Sequence, residues 1–248
     1  MAVQGVEFAQ VSFDLPDGRR LLHEISLNVQ AGTTTALLGR SGSGKTTLLR
    51  TVNALVLPTA GRITVGGTDV ATADVIKLRR GIGYVIQETG LFPQMTIERN
   101  VGMALELAGK PLSERQDRIS HMLSLVGLPQ DVAKRYPWQL SGGQRQRVGL
   151  ARALAAEPEY LLMDEPFGAL DPLTRAEMQT MLSELLRRFG KTTLIITHDL
   201  EEALYLADRI VLLDGGRVVS NLPVSEVRGS ENEAMKAYVA ATHRGGEA

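Results

Sequence analysis

Residues 33–49 read TTTALLGRSGSGKTTLL, an apolar run, a glycine-rich turn, Lys-Thr-Thr, and then a segment able to continue as helix. Few patterns restrict a fold as tightly. Gly39, Gly44, Lys45 and Thr46 complete G-x-x-x-x-G-K-[ST], set between an expected strand over 34–38 and an expected helix over 45–55, which is the setting in which such a loop binds phosphate. The glycines let successive N–H groups turn inward, and the helix that starts near Lys45 presents a positive dipole end of ~0.5 elementary charge. Lys45 is expected to reach the β- and γ-phosphates of a nucleotide and the Thr46 hydroxyl to ligate Mg²⁺, with Arg40, Ser41, Gly42, Ser43 and Thr47 completing the cradle. A plain Gly/Ser turn with a solvated lysine is the alternative, and the flanking strand and helix count against it.

The composition removes several classes. With 248 residues, 44% hydrophobic and 22% charged, the chain is large enough for one α/β core and a smaller lobe. A net charge of −1 gives no electrostatic footprint for nucleic acid. The absence of cysteine excludes disulfides and thiolate catalysis, and four scattered histidines make no metal box. No run approaches the ~18 apolar residues of a membrane span, and MAVQGVEFAQ lacks the layout of a signal peptide, so a cytosolic chain that reaches membranes through a partner is expected.

Along the chain, 6–13 and 22–29 read as strands joined by an Asp17-Gly18 turn, an antiparallel flap ahead of the core. Short strands are expected over 62–65 and 82–86, the latter ending in Gln87. Between Gln87 and Ser141 the period changes to 3.6, with Ile119, Met122, Leu123 and Val126 on one face, Ser113 and Gln116 as a capping box and Gly127 as the stop. Ser141 and Gln144 form a second capping box, for a helix to about Ala156. A strand over 160–163 follows, then a helix capped by Asp171 and closed by Gly190, a strand over 192–197, and a helix capped by Asp199 and Glu202. A hairpin turning at Asp214-Gly215-Gly216 and a short helix over 231–238 end the chain.

The strand over 160–163 runs into Asp164-Glu165. This suits a carboxylate that helps hold Mg²⁺, Asp164, beside a candidate base for water, Glu165. In isolation such a pair is as readily a solvated strand end; the phosphate loop upstream favours the functional reading. Leu140-Ser141-Gly142-Gly143-Gln144, followed by RQRVGLARA, resembles the signature motif of ATP-binding-cassette (ABC) ATPases. The order matches over nearly the whole chain: phosphate loop, Gln87 as Q-loop, signature, Asp164-Glu165 as Walker B, GALD at 168–171 as D-loop, and His198 as switch histidine.

The resemblance implies a P-loop NTPase α/β fold of ABC ATPase type in a single domain, 1–248, with a RecA-like core and β flap over 1–87 and 159–248 and a helical subdomain over about 88–158. It implies ATP and Mg²⁺ as ligands, with Thr46, Gln87 and Asp164 serving the metal and Glu165, His198 and Gln87 the chemistry. It further implies a head-to-tail dimer with a second copy of the chain. There each ATP lies between one copy's Lys45 loop and the other's Ser141, Gly143 and Gln144, with Asp171 at the interface. Leu15 falls where the family places an aromatic residue against adenine, which leaves the choice between ATP and GTP open; Phe13 is two residues away.

LLRTVNALVLPTAGRI, GIGYVIQETGLFPQMTIERNV and LLMDEPFGALDPLTR look most like importer subunits of the osmoprotectant and quaternary-amine group. That group implies integral membrane permease subunits, an extracytoplasmic solute-binding protein, and a peripheral place on the cytoplasmic face of the inner membrane. Many of its subunits carry paired CBS modules, and none is expected within these 248 residues. An amino acid or sulfonate importer is the alternative, and a soluble ABC ATPase acting on nucleic acid or ribosomes a more distant one. The segment from Glu88 to Asn100 resembles the surface that receives the permease, with Leu91, Phe92 and Met95 as its apolar floor or, equally, as core of the lobe.

Overall fold

The structure, a computed structural model, describes residues 4–87, 89–168 and 170–244, so Glu88 and Ala169 of the segments above lie outside the described residues. In chain order the elements are β1 (Val6–Asp14), β2 (Arg20–Val29), β3 (Thr34–Gly39), α1 (Lys45–Val52), β4 (Ala60–Val65), β5 (Thr68–Asp69), α2 (Val75–Arg80) and β6 (Ile82–Val85). There follow α3 (Ile97–Leu107), α4 (Leu112–Leu125), α5 (Gly142–Ala155), β7 (Tyr160–Asp164) and α6 (Pro172–Phe189). The last are β8 (Thr192–Ile196), α7 (Leu200–Leu206), β9 (Arg209–Asp214), β10 (Arg217–Pro223), α8 (Val224–Val227) and α9 (Glu233–Arg244). They gather into two compact units, Met1–Leu78 with Phe189–Ala248, and Arg79–Arg188.

The first unit holds two groups of strands. One is the antiparallel sheet β2-β1-β4-β5, in which Ile25, Leu27 and Val29 of β2 are buried while Ser26 and Asn28 between them face water, the alternation of a sheet with one wet face. In the other, β3 lies between two parallel neighbours, β8 and β9, and β10 pairs antiparallel on the far side of β9. All six residues of β3 and all five of β8 are buried, the two leading threonines of each included, as in strands covered on both faces.

The second unit pairs β6 with β7 in parallel, Ile82 opposite Tyr160 through Val85 opposite Met163. Its helices α3, α4 and α5 pack on one another through Ile97, Val101 and Leu105, through Met122, Leu123 and Val126, and through Val148, Ala151 and Leu154, each set at helical spacing and all buried. Arg118 caps the end of α5 by donating to the carbonyls of Ala155 and Leu154 at 2.9 and 3.2 Å, a cation placed where the helix dipole favours one.

Three expected boundaries shift. The box of Ser113 and Gln116 does not start α4: the helix begins at Leu112 behind Pro111, whose fixed φ of −56° leads directly into it, so Ser113 falls inside the first turn. Helix α1 stops at Val52 and does not run on to Leu55; Asn53 leaves the helical path and Ala54 turns to φ 54°. The last helix extends from Glu233 to Arg244, beyond the expected 231–238, because Asn232 caps it with a 3.0 Å bond from the Met235 N–H and Met235 is wholly buried. Asp199 does cap α7, accepting from the N–H groups of Glu201 and Glu202 at 2.9 and 3.2 Å.

The contrast between these helix starts is testable by urea unfolding. Asp199→Ala is expected to lose about 1 kcal/mol of stability through the cap, and Ser113→Ala to change it by less than about 0.5 kcal/mol. Equal losses would restore the capping box at Ser113.

Candidate functional site

Strand β3 delivers the phosphate loop and α1 carries it away. Gly44 stands at the helix start with φ 95° and ψ 3°, and a Cβ there would come within 2.5 Å of Leu22 Cδ2, so only glycine fits. Lys45 is 8% exposed, and its ammonium donates to the carbonyls of Gly39 and Arg40 at 2.8 and 2.9 Å. Beside it the Ser43 hydroxyl is buried without a hydrogen-bond partner. Arg40, Ser41 and Gly42 are exposed, while Thr46 and Thr47 are half-buried at the first turn of α1. A buried ammonium, an unpartnered buried hydroxyl and a helix N-terminus form a donor set suited to an oxyanion.

In the second unit β7 ends in Asp164, 4% exposed, and Glu165 follows with φ 45°, the left-handed region that costs a non-glycine residue about 1–3 kcal/mol. Strain of this kind persists where the surroundings over-determine a position. Gln87 Nε2 donates to Glu165 Oε2 at 3.1 Å across 78 positions, so two of the three residues expected to serve the chemistry touch. A hard carboxylate oxygen on Asp164 is the donor that Mg²⁺ selects. Among the described residues no group of three or more His, Cys, Asp or Glu is placed to hold a metal by itself.

The Ser141 box forms as read from the sequence. Ser141 Oγ accepts from the Gln144 N–H at 3.2 Å, and Gln144 Oε1 accepts from the Ser141 N–H at 3.0 Å. This arrangement leaves the Ser141 O–H and the Gln144 amide N–H₂ as donors, next to the N–H groups of Gly142 and Gly143 that a helix start cannot pair internally. A Cβ on Gly143 would lie 2.4 Å from Thr174 Cγ2, so the start of α5 packs directly on the first turn of α6. Asp171 caps that turn, accepting from the Thr174 N–H at 3.1 Å; hydrogen bonds from Thr174, its hydroxyl first, hold the Asp171 carboxyl below its ordinary range and ionised at neutral pH.

His198 sits between β8 and α7 with its side chain exposed. Leu15 lies just past the end of β1, half-buried in the turn, where its N–H donates to the Arg19 carbonyl at 2.8 Å.

Two residues of this region escaped the sequence reading. Arg152, quoted there only as part of the run after the signature, donates to the carbonyls of Gly90 and Thr89 at 2.6 and 2.7 Å and so ties the segment after Gln87 to α5; its burial lowers the guanidinium pKa. An arginine on the apolar side of a helix is the signal that marks it. Tyr238 on α9 donates to the His198 carbonyl at 3.1 Å, and nothing in the local sequence points to it.

The family model described as ABC transporter matches residues 22–168. The glycine betaine/carnitine/choline transport ATP-binding protein OpuCA of Bacillus subtilis is 43% identical over 94% of this chain and 62% of its own length. The glycine betaine uptake system ATP-binding protein YehX of Escherichia coli is 45% identical over 86% of this chain and 69% of its own. This chain thus spans about three fifths of the length of OpuCA. Among solved structures, the ATP-binding cassette MJ0796, dimeric in a post-hydrolysis state with ADP and Pi, superposes with a TM-score of 0.80 at 32% identity, covering 88% of this chain and 98% of that one. The α/β architecture is that of a P-loop ABC ATPase, and the chain belongs to the ABC transporter family.

Proposed function

We propose that this protein is the ATP-hydrolysing subunit of an import system for an osmoprotectant or quaternary amine, working through a separate membrane permease. The observation that carries the catalytic reading is the Gln87–Glu165 hydrogen bond at the end of β7, which holds a carboxylate next to Asp164 in one orientation. The similarity to OpuCA and YehX supports the solute class.

In this reading the loop of Gly39, Arg40, Ser41, Gly42, Ser43, Gly44, Lys45, Thr46 and Thr47 binds the phosphates. Lys45 exchanges its two main-chain carbonyls for β- and γ-phosphate oxygens. Thr46, Asp164 and Gln87 hold Mg²⁺, which supplies charge neutralisation on the phosphates when bound. Glu165 takes the proton of the attacking water, Gln87 orients that carboxylate, and His198 contacts the γ-phosphate. Ser141, Gly143 and Gln144 donate to the nucleotide held by a second copy, with Asp171 at the same interface and Leu15 beside the base.

No helix among the described residues is long and apolar enough to cross a membrane; in this reading the subunit sits peripherally on the cytoplasmic face of the inner membrane, held by its permease. The segment after Gln87 suits a permease contact. Buried Asn100 accepts from the Phe92 N–H at 2.8 Å and donates to the carbonyls of Phe92 and Met95, each at 3.1 Å, which leaves Phe92 39% exposed on a fixed backbone. An extracytoplasmic solute-binding protein completes the proposed system.

Lys45→Ala is expected to abolish Mg-ATP binding in calorimetry while the chain keeps its circular-dichroism spectrum, and to abolish rescue of glycine betaine uptake in cells lacking their own importer. Uptake of glycine betaine by the mutant at the wild-type rate would sink the assignment. Glu165→Gln keeps size and hydrogen bonding but cannot take a proton, so hydrolysis is expected to fall ~10²–10⁴-fold. The same change removes a negative charge from each copy at an interface that gathers two triphosphates, so Mg-ATP is expected to convert the mutant from monomer to stable dimer on size exclusion. Trp138, the single tryptophan, is 72% exposed just before Ser141 and gives a second readout, since closure should change its emission. A mutant that stays monomeric with ATP bound would refute the shared site.

A further inference from the structure

Helix α9 is fixed to the first unit at its start. The Asn232 side chain accepts from the Met235 N–H and donates to the Val219 carbonyl, both at 3.0 Å, and Met235 is fully buried. One turn further on, the Tyr238 hydroxyl donates to the His198 carbonyl at 3.1 Å. Burial pushes the phenol pKa up, so at working pH the hydroxyl keeps its proton and remains a donor. Beside this contact lies a cavity of about 380 Å³, lined by Gly39, Arg40, Leu213, Asp214, Tyr238 and Thr242 among others.

The Tyr238 hydroxyl therefore holds one segment of the nucleotide site from outside the site, and the residue lines one cavity with Gly39 of another. Gly39 opens the phosphate loop, and His198 sits where β8 passes into α7. On its other side the passage carries the bond from the Asp199 N–H to Thr197 Oγ1, at 3.0 Å. Fixing the carbonyl of His198 fixes the peptide plane that follows it, and so restrains the Cα from which the exposed imidazole projects.

We propose that Tyr238 is a positioning residue for ATP hydrolysis: by bonding the His198 carbonyl from a cavity that Gly39 also lines, it holds the switch histidine at the edge of the phosphate loop. This rests on the function proposed above. It also makes α9 a handle on the site: a shift of that helix moves the histidine relative to the phosphate loop without touching the nucleotide.

The test is Tyr238→Phe in the full chain, which removes one oxygen and keeps the ring packing. Expected are a fall in kcat of roughly 2–10-fold, unchanged ADP affinity and melting temperature, and a roughly 2–10-fold faster hydrogen exchange of the amides of 197–200. Unchanged kcat together with unchanged exchange would overturn the proposal. So would a parallel loss of kcat, ADP affinity and melting temperature, the pattern of a residue that only packs. A wild-type protein that fails to hydrolyse ATP would instead remove the proposed function, and the exchange measurement would still decide whether the hydroxyl holds the histidine.

Discussion

A buried ammonium that rests on two main-chain carbonyls is the interaction from which the rest of the first unit follows. Lys45 is almost wholly out of water, and the carbonyls of Gly39 and Arg40 replace the hydration it has given up. For those carbonyls to turn toward one point, the chain must leave β3 sharply and re-enter a helix within a few residues, a path that needs glycine where Gly44 meets Leu22. The strand that launches the loop is correspondingly rigid. It is buried on both faces and hydrogen-bonded on both edges, and its parallel neighbours β8 and β9 end beside it, bringing the His198 passage and the Leu213-Asp214 corner to the loop's side.

What the sequence disclosed and what it hid divide along the range of the interactions. The Ser141 box and the caps at Asp171 and Asp199 are settled within four residues by side chains that bond their own helix starts, so spacing alone identifies them. The same rule failed at Ser113 because a proline two residues earlier already opens the helix, and a local pattern cannot say which of two adequate starts prevails. Distant contacts were beyond pattern. The Gln87–Glu165 bond spans 78 positions, and only the order of motifs shared with a known family put both residues in one site. Arg152 reaches 63 positions back and Tyr238 reaches 40, and nothing around either residue encodes its target.

The segment after Gln87 shows how a stretch without regular structure becomes a defined surface. Asn100 grips Phe92 and Met95 from α3, while Arg152 grips Thr89 and Gly90 from α5, all through main-chain groups. Main-chain anchoring leaves the side chains of the segment free to vary without loss of its path. A helical lobe fastened in this manner can keep one architecture while its exposed residues adapt to different partners.

The contact between Gly143 and Thr174 carries a mechanical consequence. Because the starts of α5 and α6 touch with no room for a methyl group between them, neither can swing alone; they form one jaw. In the proposed dimer the serine that opens one helix and the aspartate that opens the other would therefore reach the second copy together and leave it together, as one latch and not as separate teeth.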